Sequence, residues 1–275
     1  MPELPEVETV RRALEHHILG QCFTALVVRD ARLRVAVRAQ RLKDFVLKRR
    51  VVGLRRRAKY LLIDFDNENI LMIHLGMSGH LGVLAAEQPI KKHDHIIWRL
   101  EDGRDLRFND PRRFGLVEAF TCEEESTHPR LRNLGLEPLG ETLSAERLKQ
   151  QTKRFSKPIK NWLMDATQIV GIGNIYACEA LFRARIDPSC AVGSLSLTRW
   201  TRLIEAIRLV LSEAIAEGGT TLRDFRHLEG QSGYFAVSLR VYGRQGEPCT
   251  QCGTMIERIS QAGRSTFYCR RCQKV

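Results

Sequence analysis

Two cysteine pairs near the C-terminus, Cys249-x2-Cys252 and Cys269-x2-Cys272, constrain this chain more than any other feature. Each pair forms a short chelating turn. The sixteen residues between them suffice for one hairpin, so four thiolates can close tetrahedrally on one ion. Gly253 allows the tight turn after the second ligand, and the β-prone runs 255–259 and 266–268 can pair as the hairpin. From 239 onward the chain is too small to build a core by apolar burial. A structural zinc, worth about 10–16 kcal/mol in short peptides, substitutes for that core. Four cysteines leave no open coordination position, so the expected cofactor is one structural Zn2+ and the chemistry must lie elsewhere. Two disulfides or a redox pair is the competing reading. The remaining cysteines, Cys22, Cys122, Cys178 and Cys190, are scattered single thiols, which suits a reducing compartment.

Arg258, Arg264, Arg270 and Arg271 surround the four ligands and make the ribbon cationic, as phosphate contact requires. A larger excess lies upstream. Between Arg29 and Lys59, thirteen basic residues face only Asp30 and Asp44, which nearly accounts for the net charge of +12. A polyanion is the natural partner, because basic side chains release counterions condensed on phosphates; a merely solvated basic face is the alternative. The first residues lack a basic segment followed by an apolar one, and no uncharged apolar stretch approaches the ~18 residues of a membrane span. The chain is therefore expected to be soluble and cytoplasmic, with no membrane partner.

Val7, Val10, Leu14 and Ile18 recur at helical spacing with Gly20 as a stop, so an amphipathic helix opens the chain. Short β-rich runs follow at 23–28, 60–65, 70–75, 96–100 and 116–120, a spacing that suggests a sandwich or barrel. Over 121–140 the composition shifts to Glu123-Glu124-Glu125, His128-Pro129 and Pro138-Leu139-Gly140, which reads as an interdomain connection. Beyond it, 144–151, 159–165, 175–184 and 198–217 carry helical spacing, and Gly218-Gly219 closes the last. The expected class is α+β in two domains. An N-terminal β-sandwich with a leading helix covers 1–133, a helical domain covers 134–238, and that domain ends in the zinc-ribbon hairpin, 239–275.

Pro2-Glu3-Leu4-Pro5-Glu6-Val7-Glu8-Thr9 resembles the N-terminus of formamidopyrimidine-DNA glycosylases. The resemblance spans the chain, through Arg57-Ala58-Lys59-Tyr60, His74-Leu75-Gly76-Met77-Ser78-Gly79, Asp110-Pro111-Arg112-Arg113-Phe114-Gly115, Gly171-Ile172-Gly173-Asn174, Gly218-Gly219-Thr220-Thr221-Leu222, Tyr242-Gly243-Arg244 and the four cysteines. The related endonuclease VIII group typically has Gly where this chain has Leu4, which favours the oxidised-purine branch. The resemblance implies a helix-two-turn-helix arrangement in the helical domain. It also implies a base-excision glycosylase with lyase activity, in which loss of Met1 exposes Pro2 as the nucleophile.

The choice of an N-terminal proline has its own physical reason. With an α-amino reference pKa of about 7.7–8.0, roughly a third of such amines are neutral near pH 7.5, against about one in a thousand for lysine. Attack at the sugar C1′ by a secondary amine leaves an iminium with no N–H to lose. That permanent electron sink favours β-elimination of the 3′ phosphate and then δ-elimination of the 5′ phosphate. By resemblance, Glu3 carries the proton at the sugar, Lys59 assists proton transfer and holds a phosphate, and Arg264 grips the flanking phosphates and serves δ-elimination.

A base within the stack must be extruded and its gap plugged, at a cost of a few kcal/mol. The residues matching the family's plug are Met77, a pliable wedge, Phe114, a stacking platform, and Arg112, a donor to the orphaned base. His93, Lys160 and Asn174 match backbone contacts, and the basic segment 153–157 aligns loosely with further backbone-binding lysines. The expected partner is double-stranded DNA containing oxidised bases, bound by a monomer and drawing the protein to the nucleoid. An endonuclease VIII-like enzyme for oxidised pyrimidines and a non-catalytic zinc-ribbon DNA-binding protein are the alternatives.

Overall fold

The computed structural model describes residues 2–218 and 239–274. The motif from Gly219 to Leu222 lies outside the described residues. The chain divides into two compact units, the first running through Arg132 and the second starting at Asn133.

In the first unit, α1 (Leu4–Ile18) buries Val7, Val10, Leu14 and Ile18 along one stripe, and Gly20 ends it at φ 78°. Next come β1 (Phe23–Val28), α2 (Ala39–Val46), β2 (Val51–Arg57), β3 (Tyr60–Phe65), β4 (Asn69–His74), β5 (His80–Ala85), β6 (Asp94–Leu100), β7 (Arg104–Asn109), β8 (Leu116–Thr121) and the short α3 (Cys122–Glu125). The strands form two antiparallel four-stranded sheets, ordered β1-β6-β7-β5 and β2-β3-β4-β8. Both sheets and both long helices contribute to one apolar core. Phe23 of one sheet meets Phe65 of the other edge to face, with ring centroids 5.3 Å apart. This is the sandwich with a leading helix.

Much of the basic run 29–59 serves this fold. Arg32 pairs with Asp30, Arg41 with Glu124, Arg50 with Glu101, Arg55 with Asp64 and Glu125, and Arg56 with Glu8. The window is therefore not one free phosphate-binding face.

The second unit holds α4 (Ala145–Thr152), α5 (Ile159–Leu163), α6 (Asn174–Arg183), a 3-10 turn (Val192–Ser194), α7 (Leu197–Ala216), β9 (Glu257–Gln261) and β10 (Arg264–Tyr268). Ser144 and Ser196 cap α4 and α7 by accepting backbone N–H bonds. Every residue of α6 from Ile175 to Phe182 is buried, which makes it the centre of the unit. The ribbon hairpin joins this unit rather than standing apart: Gln273 donates to the Ile186 carbonyl at 2.9 Å, and Lys274 bridges to Ile186. Among the described residues no helix is long and apolar enough to cross a membrane.

Candidate active site and metal centre

Pro2 is buried, and Glu3, 3% exposed, occupies the N-cap of α1. The Glu3 amide donates to Glu6 Oε2 at 2.8 Å, the reach-back bond of a capping box.

Lys59 lies in the two-residue connection between β2 and β3, beside Ala58 at φ 55°. Arg56 pins this turn, donating to the Ala58 carbonyl at 3.0 Å and to Glu8 of α1 at 3.3 Å. The strand connection carrying Lys59 is thereby tied to the helix that begins at Pro2 and Glu3. His74 closes β4 opposite Tyr60, with rings 5.0 Å apart, and its Nδ1 accepts the Gly76 N–H at 2.9 Å. Burial, then repulsion from Lys59, Arg34 and Arg130, pushes the His74 pKa down to about 4. With Nδ1 accepting, the neutral ring carries its proton on Nε2 and offers a donor without a charge. Sequence reasoning quoted the motif containing His74 but gave that residue no role.

Met77, Arg112 and Phe114 come together. Gly76, at φ 64°, packs so closely on the β7–β8 loop that a Cβ there would lie 2.4 Å from the Phe114 carbonyl carbon. Asp110, fully buried, accepts Ser78 Oγ–H at 2.6 Å and the Gly115 N–H at 2.7 Å, while Ser78 Oγ accepts the Arg112 N–H at 3.1 Å. On this clamped frame Met77 and Phe114 are 38% and 43% exposed, and the Arg112 guanidinium lies 5.0 Å from the centre of the Phe114 ring. The frame extends to His93, whose carbonyl accepts the Asp110 N–H at 3.0 Å. Ser78 and Asp110 were missed as supports because their pairing, 32 residues apart, leaves no periodic trace.

In the second unit Asn174 opens α6, and its Nδ2 donates to the Ser265 carbonyl on β10 at 2.8 Å, next to Arg264, which is exposed. Lys160 is fully buried within α5. Glu179 of α6, also missed, accepts the backbone N–H groups of Arg240, Val241 and Tyr242 at 3.0, 3.0 and 2.9 Å.

The sulfurs of Cys249, Cys252, Cys269 and Cys272 all lie within 4.8 Å of one another. The pairs Cys249–Cys272 and Cys252–Cys269 are 3.9 and 3.5 Å apart. A disulfide needs about 2.05 Å. A tetrahedron of Zn–S bonds near 2.3 Å has edges of about 3.8 Å, so these residues fit one zinc, held by four protein ligands and therefore structural. The metal cross-links the two turns, and Arg258, Arg264, Arg270 and Arg271 stand exposed around it.

Three family models match in order: the formamidopyrimidine-DNA glycosylase N-terminal domain over residues 1–117, its H2TH domain over 134–226, and the zinc finger found in FPG and IleRS over 246–275. The formamidopyrimidine-DNA glycosylase of Acidithiobacillus ferrooxidans is 50% identical over 274 residues, covering 100% of both chains. The glycosylase of that name from Escherichia coli is 48% identical over 276 residues, again covering 100% of both. A Lactococcus lactis FPG mutant solved with DNA containing Fapy-dG superposes with TM-score 0.92 at 32% identity, covering 100% of both chains. The MutM (FPG) protein of Thermus thermophilus superposes with TM-score 0.86 at 40% identity, covering 99% of this chain and 98% of that one. With its two sheets, helical unit and four-cysteine ribbon in the matching order, this chain belongs to the formamidopyrimidine-DNA glycosylase family.

Proposed function

We propose that this chain is a base-excision repair enzyme that removes oxidised purines, 8-oxoguanine and formamidopyrimidines, from double-stranded DNA and then cuts the strand. The observation that carries the reading is the start of α1, where Pro2 and Glu3 are buried at the N-terminus of a helix to which Arg56 ties the Lys59 turn.

Once Met1 is removed, the lone pair of the Pro2 nitrogen attacks C1′ of the damaged nucleotide. The glycosidic bond breaks, and the base leaves with a proton delivered by acid catalysis. Glu3 is the carboxyl at this position and passes protons at the sugar ring. Ring opening leaves an iminium between the Pro2 nitrogen and C1′. Loss of a C2′ proton expels the 3′ phosphate, a second elimination expels the 5′ phosphate, and hydrolysis frees Pro2. Lys59 holds a phosphate beside the lesion, and Arg264 grips the flanking phosphates and serves the second elimination. Met77, Arg112 and Phe114 fill the space left by the extruded nucleotide, while His93 and Asn174 contact the backbone. Lys160 joins His93 and Asn174 in these backbone contacts. One chain holds all these parts, so the enzyme acts as a monomer, inside the cell where genomic DNA resides.

Borohydride reduces the iminium to a stable amine. Processed enzyme mixed with an 8-oxoguanine:cytosine duplex and borohydride should yield a cross-linked complex whose adduct maps to Pro2. Absence of the complex, or an adduct on a lysine, would overturn the mechanism. Faster processing of thymine glycol than of 8-oxoguanine would reverse the purine assignment.

A further inference from the structure

β7 gives Leu106 and Phe108 to the core, so Asp105, Arg107 and Asn109 lie in a row on the opposite face of the strand. Such a row belongs in water, yet the three are only 2%, 2% and 8% exposed. Their cover is the connection between β5 and β6, whose carbonyls converge on one cation. The Arg107 guanidinium donates to the carbonyl oxygens of Ala85, Ala86, Gln88 and Pro89 at 3.4, 3.3, 2.9 and 3.2 Å. Its charge is balanced by Asp105 at 3.1 Å and Asp94 at 3.8 Å. Gly82, its register partner on β5, adds no side chain to that space.

The grip extends to the turn that bears His93. Asp94 Oδ2 accepts the Lys91 N–H at 2.8 Å, the Asp94 N–H donates to the Lys91 carbonyl at 3.1 Å, and Asp94 Oδ1 accepts Asn109 Nδ2–H at 2.7 Å. Arg29 donates to the carbonyls of Lys91 and Asp94, each at 3.0 Å. On the outside, residues 87–92 are all exposed, so the shape of the loop depends on what holds it from beneath.

An apolar residue at position 107 would cover the sheet at less cost, because a buried ion repays its desolvation poorly. What a guanidinium alone supplies is a rigid fork of donors that serves several carbonyls and a carboxylate at once. We propose that Arg107 is a positioning residue: by gripping the loop from below, it sets His93 at the place where the DNA backbone is met. This rests on the reading of His93 as a backbone contact. Arg107 itself, 2% exposed, acts only through the loop.

The test uses zinc-loaded, full-length protein and an 8-oxoguanine:cytosine duplex under single-turnover conditions. Arg107→Lys keeps a charge between Asp94 and Asp105 but cannot span the four carbonyls. It should raise the half-saturating enzyme concentration roughly tenfold and leave the rate at saturation within about twofold. His93→Ala should weaken half-saturation to a similar extent. In the double variant the effects should not multiply, the second change adding less than about twofold. Multiplying effects would reduce Arg107 to general support of the sheet and overturn the proposal, as would native binding by Arg107→Lys. Wild-type protein offers a measurement that needs no variant. The Gln88 amide, which donates to the Ala85 carbonyl at 3.1 Å on an exposed loop, should exchange at least about a hundredfold more slowly than in a free peptide. Exchange at the free-peptide rate would show that the loop is not held. In Arg107→Lys this protection should fall at least about tenfold while β6 and β7 stay protected. If His93→Ala binds as the wild type does, the contact reading and the positioning role fall together; if it binds weakly and Arg107→Lys does not, only the positioning role falls. Pro2 trapping on the same preparations reports the enzymatic reading separately.

Discussion

Replacing Glu179 by Gln changes one atom and should loosen the whole attachment of the zinc ribbon. In the native chain Oε1 accepts from Val241 and Tyr242, and Oε2 accepts from Arg240. Glutamine can keep one acceptor oxygen for Val241 and Tyr242, but it turns an NH2 toward the Arg240 N–H, so donor faces donor. One bond is lost and two drop from charge-assisted to neutral, a total of about 2–4 kcal/mol. Alanine also strands the buried Val241 amide and should cost about 4–6 kcal/mol. Val241 packs in one cluster with Cys249 and Cys269, so loss of the anchor reaches the metal ligands. Amide exchange of Val241 in zinc-loaded Glu179→Gln should accelerate roughly thirty- to thousandfold, with faster transfer of zinc to a competing chelator. Exchange and zinc transfer both within threefold of wild type would show that the three bonds do not anchor the ribbon.

His74 gives a pH-dependent prediction. Its folded pKa of about 4 lies below the ordinary 6.5, so the unfolded chain binds the proton more readily. The stability from neutral His74 is complete above about pH 6.5 and is lost as pH falls toward 4, at most about 3 kcal/mol. Denaturant titrations of His74→Gln should therefore show a flatter dependence across that window; an unchanged slope would contradict it. Gly76→Ala combines a positive φ with a Cβ pressed on the Phe114 carbonyl, so it should displace Phe114 and weaken binding to a lesion duplex at least tenfold while far-ultraviolet circular dichroism is retained. Native affinity in that variant would remove the loop-clamp argument. Stripping zinc with a strong chelator should abolish amide protection in the Glu257–Gln261 and Arg264–Tyr268 hairpin while the first unit's core stays protected. A protected hairpin without metal would refute zinc as the ribbon's core.

The parts legible in the sequence were those with local causes. The apolar stripe of α1, the two Cys-x2-Cys turns and the strands at 23–28 and 60–65 each carry their pattern within a few residues. The strands that escaped notice are those whose polar residues are satisfied from afar. β2 ends in Arg55-Arg56-Arg57 and reads as a charge run until Asp64, Glu125 and Glu8 are seen beside it. β7 contains Arg107, 2% exposed, whose guanidinium donates to the carbonyls of Gln88 and Pro89, outside the strand, at 2.9 and 3.2 Å. At the site, spacing alone announced the four cysteines, whereas Pro2 and Glu3 stood out only through the family resemblance and would otherwise read as a helix start. The supports, Asp110 under the Arg112 loop and Glu179 under 240–242, became visible only when distant segments met.

Because Asp110 and Ser78 clamp the loops bearing Met77, Arg112 and Phe114 in the free protein, the wedge that we propose parts the double helix is assembled before any target is met. Sampling a base step then demands no refolding of the protein, so the dwell at each position is governed by how readily that step yields. Undamaged sequence, stiff and well stacked, would be passed quickly. A weakened step would arrest the sliding molecule, making the mechanical softness of the helix the first filter in the search.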